Sequence, residues 1–196
     1  MRAPSVQKRE PAFERGFKTW AEASALTYRR TLGLQEVDAL DPVLLAQHLK
    51  VHLWDLKGVP GIAEETVRHL ATEGADEWSA VTVCLGHADV IVLNPTHSAA
   101  RQTSDLMHEL AHVIRKHKPA QVFISQAAGL VVRTYDGTQE EEAEWLSGCL
   151  LLPRAALAYA LSRKKSKQEM CESFGVSKPL LQYRLNVTGL NRRVTA

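Results

Sequence analysis

Residues 108–112 read His-Glu-Leu-Ala-His, and this pentapeptide limits the fold more than any other part of the chain. On an α-helix, positions i and i+4 stand one above the other. His108 and His112 therefore share a face, and two imidazoles so spaced can grip one ion. Glu109 lies beside that face, where its carboxylate can take the proton of a water activated by the ion. The surrounding residues Leu106, Met107, Leu110, Val113 and Ile114 give the same helix a broad apolar face. Such a helix is expected to be a core element, with its histidines near the core. A surface helix with two polar residues toward solvent fits that apolar surround poorly. The helix is expected to start near Ser98 and to end before Pro119.

A catalytic zinc site takes three protein ligands and leaves one position open. Glu140, Glu141 and Glu142 are the acidic candidates downstream, although carboxylates in a helix's first turn also simply complement its dipole. Thr138 and Glu141 read as a capping-box pair that launches a helix to about Leu152 and turns Glu141 outward. Ala143, Ser147, Leu150 and Leu151 mark the inward stripe of that helix, and Glu140 lies three residues before Ala143 on the same side. Glu142, in line with Leu146, remains the second candidate. Glu144, four residues after Glu140, suits an acceptor for a ligand histidine. His87 and His117 could approach the ion, but a histidine near a helix end more often complements the dipole there. Tyr135 suits a polarising group for a substrate carbonyl or an ordinary strand residue. No oxyanion-stabilising residue is assigned.

Elsewhere the chain reads as alternating short elements. Phe13, Phe17, Trp20, Ala21, Ser24 and Tyr28 follow helical spacing up to Gly33. Asp41-Pro42 is an N-cap followed by proline at the first helical position, for a helix to about Lys50. Val51 to Trp54 reads as a strand and Gly61 to Leu70 as a short helix. Ser79 to Leu85 and Val90 to Leu93, around a turn at Gly86 to Asp89, read as a β-hairpin, ended by Asn94-Pro95. Within residues 119–137, Val122 to Ile124 and Leu130 to Val132 fit either strands or a flexible flap, and Asp136-Gly137 reads as a turn. After Pro153 come a helix over Ala155 to Leu161, a capping box at Ser166 and Glu169, and a turn at Phe174 to Ser177. A final helix spans Lys178 to Leu185.

Three passages resemble the ImmA/IrrE metallopeptidases. The first runs from Ile91-Val92-Leu93-Asn94 through Arg101 to His108-Glu109-Leu110-Ala111-His112. The second, and more specific, is Glu140-Glu141-Glu142-Ala143-Glu144-Trp145-Leu146-Ser147-Gly148-Cys149-Leu150-Leu151-Leu152-Pro153. The third is Phe174-Gly175-Val176-Ser177 with Tyr183-Arg184-Leu185. The resemblance implies an α+β, zincin-like fold with a small antiparallel sheet packed on the helix of His108 and His112. It implies zinc held by His108, His112 and Glu140, with Glu109 as general base. Glu144 departs from the asparagine or aspartate usual there. The implied substrate is a helix-turn-helix repressor or an antitoxin-like regulator. The strand Val90 to Leu93 is the expected partner for an extended substrate.

The expected organisation is a disordered tail over 1–12, a metallopeptidase domain over 13–153 and a helix-turn-helix-like segment over 154–196. That last segment offers Lys178, Gln182 and Arg184 for DNA contact, or packs on the core or on a partner repressor. Apolar content of 45% and charged content of 23% over 196 residues are those of a soluble globule. A net charge of +2 gives no argument for nucleic acid or an anionic membrane. The basic residues Arg163, Lys164, Lys165 and Lys167, and Arg192 with Arg193, read as solvated surface. Cys84, Cys149 and Cys171 form no C-x-x-C pair and suit a reducing compartment. No signal peptide and no membrane-spanning stretch is recognised, so a cytoplasmic location is expected. The favoured expectation is a cytoplasmic zinc endopeptidase. The alternative is a non-proteolytic regulator whose metal site is structural or sensory.

Overall fold

A computed structural model describes residues 13–85, 88–117, 122–125, 130–133 and 136–191. The expected tail over 1–12, the turn at Gly86-His87, Tyr135 and the pair Arg192-Arg193 lie outside the described residues. Helix α1 (Phe17–Thr31) ends where the Leu34 amide bonds back to the Arg29 carbonyl at 2.8 Å. That closure needs the left-handed φ of 74° that Gly33 supplies. Helix α2 (Pro42–His48) starts as its sequence requires, with the Asp41 carboxylate accepting the Val43 amide at 2.8 Å. Strand β1 (His52–Trp54) and helix α3 (Glu64–Ala71) follow, then β2 (Ala80–Leu85) and β3 (Ala88–Leu93). Helix α4 (Ala99–Arg115) carries the His-Glu-Leu-Ala-His run. Strands β4 (Val122–Ser125) and β5 (Leu130–Arg133) form a separate antiparallel pair within the ambiguous 119–137 stretch. Helices α5 (Gly137–Leu151), α6 (Arg154–Ser162), α7 (Lys167–Phe174) and α8 (Lys178–Val187) complete an α+β fold.

The three-stranded sheet has the order β1-β3-β2. It is mixed, not antiparallel as expected. β2 and β3 are antiparallel, with Ala80 opposite Leu93, but β1 runs parallel to β3, with His52 opposite Val90. A parallel neighbour needs a long crossover, and the chain between β1 and β3 is long enough to carry α3 and β2. β3 is thus the central strand. This explains its unbroken apolar run, in which Val90, Ile91 and Val92 are all buried. It also corrects the substrate-strand expectation, because β3 has both edges paired. Among the described residues β2 pairs with β3 alone, so an open edge belongs to β2.

One apolar core joins the chain from Phe17 to Leu190. α4 contributes Leu106, Met107, Leu110 and Ala111, and α5 contributes Ala143, Leu146 and Leu150. α1 adds Phe17, Ala21 and Ala25, and α7 and α8 add Met170, Phe174, Leu181 and Leu185. The C-terminal helices therefore share the core of the preceding residues. The helical stretch Gly137–Ser162 does reach the length and apolarity of a membrane span, against the expectation, but 61% of its window is buried inside the protein. That is the pattern of a core helix. Cys149 and Cys171 are free thiols. Burial pushes the Cys149 thiol up to about 12, which leaves it inert.

Two arginines are fully buried, and both reach the C-terminal end of α5. Arg29 donates to the Leu150 carbonyl at 2.8 Å, and to the Ala25 and Asp38 carbonyls at 3.0 and 2.8 Å. Arg184 donates to the Leu152 carbonyl at 3.0 Å and to Glu22 at 2.6 Å. The last carbonyls of a helix lack intrahelical partners and carry its negative pole, so buried cations satisfy both needs. Desolvation lowers the Arg29 pKa to about 10, opposed by Asp38 and Glu22, and the side chain stays charged at neutral pH. Arg184 is consequently not available to DNA, contrary to expectation. Gln182 is engaged by Lys167, Asn186 and Asn191, and Lys178 alone of the three is exposed. Arg29→Met should cost about 2–4 kcal/mol, because buried carbonyls lose their donors. Urea unfolding measures this, and a cost below about 1 kcal/mol would show that the carbonyls find other partners.

Candidate metal centre

The site lies where α4 and α5 face each other. The His-Glu-Leu-Ala-His run obeys the helical phase that its spacing requires. Leu106, Met107, Leu110 and Ala111 turn into the core, while His108, Glu109 and His112 turn to the half-buried side. α5 starts one residue before the expected capping box. Asp136 is its N-cap, and its carboxylate accepts the Thr138 and Gln139 amides at 3.0 and 3.4 Å. An aspartate ahead of the helix captures the first free amides directly, which leaves Thr138 exposed and no capping role for Glu141.

Three donors converge. His108 Nε2 lies 3.1 Å from His112 Nε2 and 3.2 Å from Glu140 Oε2. His112 Nε2 lies 3.5 Å from Glu140 Oε1. A tetrahedral ion with bonds of about 2.0–2.1 Å sets its ligands about 3.3 Å apart, so the donor set fits zinc by spacing and by chemistry. Hydrogen bonds from His108 and His112 hold the Glu140 carboxyl far below the usual carboxylate range, against the effect of burial. Burial alone would lower the His108 pKa. The bond to Glu140 and the charges of Glu109, Glu140 and Glu144 outweigh it and leave that pKa raised. Glu144 itself is exposed, so its effect on His108 comes through charge.

The second candidate, Glu142, is the more buried carboxylate, at 5% exposure. It lies in line with Leu146, and that line is inward too, because α5 is covered on nearly every side. Its oxygen accepts from Arg115 Nε at 2.8 Å and faces His117 Nε2 at 3.1 Å. His117 stands on the far side of His112, with the two Nδ1 atoms 3.0 Å apart. It does not join His108 and Glu140. Burial lowers its pKa despite the bond to Glu142. The left-handed Lys116, at φ 55°, ends α4 and returns the His117 amide to the His112 carbonyl at 3.0 Å. That turn brings the two rings together.

Sequence reasoning missed Thr82. Its hydroxyl, on β2, donates a short hydrogen bond to Glu109 Oε2. The signal was a polar residue between Val81 and Val83, facing the opposite side of the strand. A groove of about 420 Å³ opens here, lined by Asp76, Glu77, Trp78, Ser79, Ala80, Asp105, His108 and Glu109. Its wall is anchored by the fully buried Asn94, whose amide donates to the Ala75 and Trp78 carbonyls at 2.7 and 2.9 Å. Asp105 is held by His97 at 3.1 Å and by Arg101 at 3.8 Å.

Among known families, the IrrE N-terminal-like domain, Peptidase_M78, matches residues 64–186. Comparison with curated proteins and with solved structures gives no match.

The two carboxylates should separate in stability measurements on metal-free protein. Glu142→Ala leaves Arg115 and His117 without their buried acceptor and should cost about 1–3 kcal/mol. Glu140→Ala removes a half-exposed group and should cost under about 1 kcal/mol. Equal losses on thermal denaturation would contradict this division of roles.

Proposed function

Because the matched segment exceeds half of its residues, the chain belongs to the Peptidase_M78 family, and on that premise we propose that it is a zinc-dependent endopeptidase. The observation that carries the reading is the convergence of His108, His112 and Glu140 beside Glu109 at an open groove. In this reading His108, His112 and Glu140 would hold the ion beside the groove. Zinc supplies a Lewis acid for the scissile carbonyl and makes water acidic enough to attack near neutral pH. Glu109 accepts the water's proton and returns it to the departing amine. The Thr82 hydroxyl restrains the Glu109 carboxylate so that one oxygen stays free for that transfer. Substrate lies extended along the open edge of β2, where Ser79 and Ala80 already line the groove beside His108.

The substrate class in this proposal is a helix-turn-helix repressor or an antitoxin-like regulator, as the resemblance implies. The reading includes a cytoplasmic location, which the free thiols of Cys149 and Cys171 suit. With Arg184 buried, DNA contact by residues 166–185 would rest on exposed lysines such as Lys167 and Lys178. It is secondary to proteolysis here.

Elemental mass spectrometry of purified protein tests the site. Wild type and Glu142→Ala should carry about one zinc, and His112→Ala and Glu140→Ala should carry almost none. Glu109→Gln should keep zinc and lose cleavage of a co-expressed regulator. Zinc bound by a wild-type protein that leaves every such regulator intact would favour a metal-holding regulator instead. Zinc affinity should also fall as pH drops through the raised pKa of His108, because the ion needs the neutral imidazole. Glu140 stays a carboxylate throughout. Titration calorimetry in buffers of different ionisation heat should therefore show proton release on zinc binding. Pure zinc uptake with no proton released in mildly acidic buffer would count against His108 as ligand.

A further inference from the structure

We infer that His117 is a positioning residue that fixes the tautomer and aim of His112, backed by Glu142 and Arg115. The inference rests on the reading of His112 as a metal ligand through Nε2. That atom faces His108 and Glu140, so Nδ1 points the other way, to His117 Nδ1 at 3.0 Å. Two ring nitrogens at that distance share one proton, which makes one the donor and the other the acceptor. If Nε2 of His112 gives its lone pair to an ion, the ring's proton has to sit on Nδ1. His117 Nδ1 is then the acceptor, and the His117 proton lies on Nε2. There it meets the Glu142 carboxylate at 3.1 Å, which can only accept. Arg115 donates to the same oxygen through Nε at 2.8 Å and Nη2 at 2.6 Å.

One arrangement of protons thus satisfies every group from Arg115 to the ion site. Water does not substitute, because the side chains of His117 and Glu142 are only 6% and 7% exposed. The far end is fixed as well. The Arg115 guanidinium lies over Phe17 and Trp20, 5.2 and 5.0 Å from their ring centres, which ties the relay to α1. A partner of this kind orients a ligand ring and raises its basicity, and its loss weakens metal binding about 10–100-fold.

The test compares zinc dissociation constants, by competition with a chromophoric chelator, for wild type, His117→Leu and His117→Gln. Glutamine can accept from His112 and donate to Glu142, whereas leucine can do neither. Leucine should weaken zinc binding about 10–100-fold and glutamine should restore it to within a few-fold. Long-range proton–nitrogen NMR of the zinc-loaded wild type should show neutral His117 protonated on Nε2 and His112 protonated on Nδ1. Leucine binding zinc as tightly as wild type, or His117 protonated on Nδ1, would overturn the assignment. If His117→Leu does not fold, the wild-type spectrum alone decides. A wild type that binds no zinc would instead overturn the ligand reading itself, and the inference with it.

Discussion

The rest of the structure depends on how the C-terminal end of α5 is held. The second half of α5, from Leu146 to Leu151, is buried throughout, so its last carbonyls lie where water cannot reach them. Arg29 from α1 and Arg184 from α8 supply the donors. Burying a guanidinium costs several kcal/mol in lost hydration, and here carbonyl bonds, the helix pole and Glu22 offset that cost. Glu22 is shared further, accepting the Arg154 amide at 2.9 Å at the start of α6. Gly148 belongs to the same arrangement, because a Cβ there would meet Arg184 Cδ at 3.0 Å. A glycine inside a helix is locally unfavourable, and the passage of Arg184 across α5 is the reason it stands there.

Fixing one end of α5 fixes the other, where Glu140 and Glu142 lie two residues apart and do different work. Glu140 turns to the histidine pair and stays half-exposed at the groove. Glu142 turns under α4 and supports His112 from behind through His117. A small rotation of α5 about its axis would draw both carboxylates away from these partners. The buried arginines therefore act on the site without touching it, by setting the phase of the helix that carries both carboxylates.

Local chemistry in the sequence was enough for much of this. The spacing of His108 and His112, the Asp41-Pro42 start, the Ser166–Glu169 capping box and Gly33 each speak through residues a few positions apart. Glu140 was favoured over Glu142 from helical phase, and the geometry gathers Glu140 with the histidines. What was not legible depends on distant partners. Glu142 stood second because the inward stripe was drawn through Ala143, Ser147, Leu150 and Leu151, whereas the line of Glu142 and Leu146 is buried as well. Arg184 read as a surface cation because its acceptors are at Glu22 and Leu152. β3 was read as the strand that pairs with substrate because nothing local reveals that β1 joins it in parallel. Asp136 was read with Gly137 as a turn, not as the N-cap it is, because Thr138 and Glu141 offered a complete pattern of their own.

The Glu22–Arg184 contact spans 162 positions, and it closes over the helix between them. During synthesis the His-Glu-Leu-Ala-His run and both carboxylates leave the ribosome well before residue 184 does. Until then α5 has only one of its two guanidinium anchors and the carbonyl end is exposed. The nascent chain can hold His108, His112 and both carboxylates before Arg184 is available, so the carbonyl end of α5 gains its second anchor only when α8 docks.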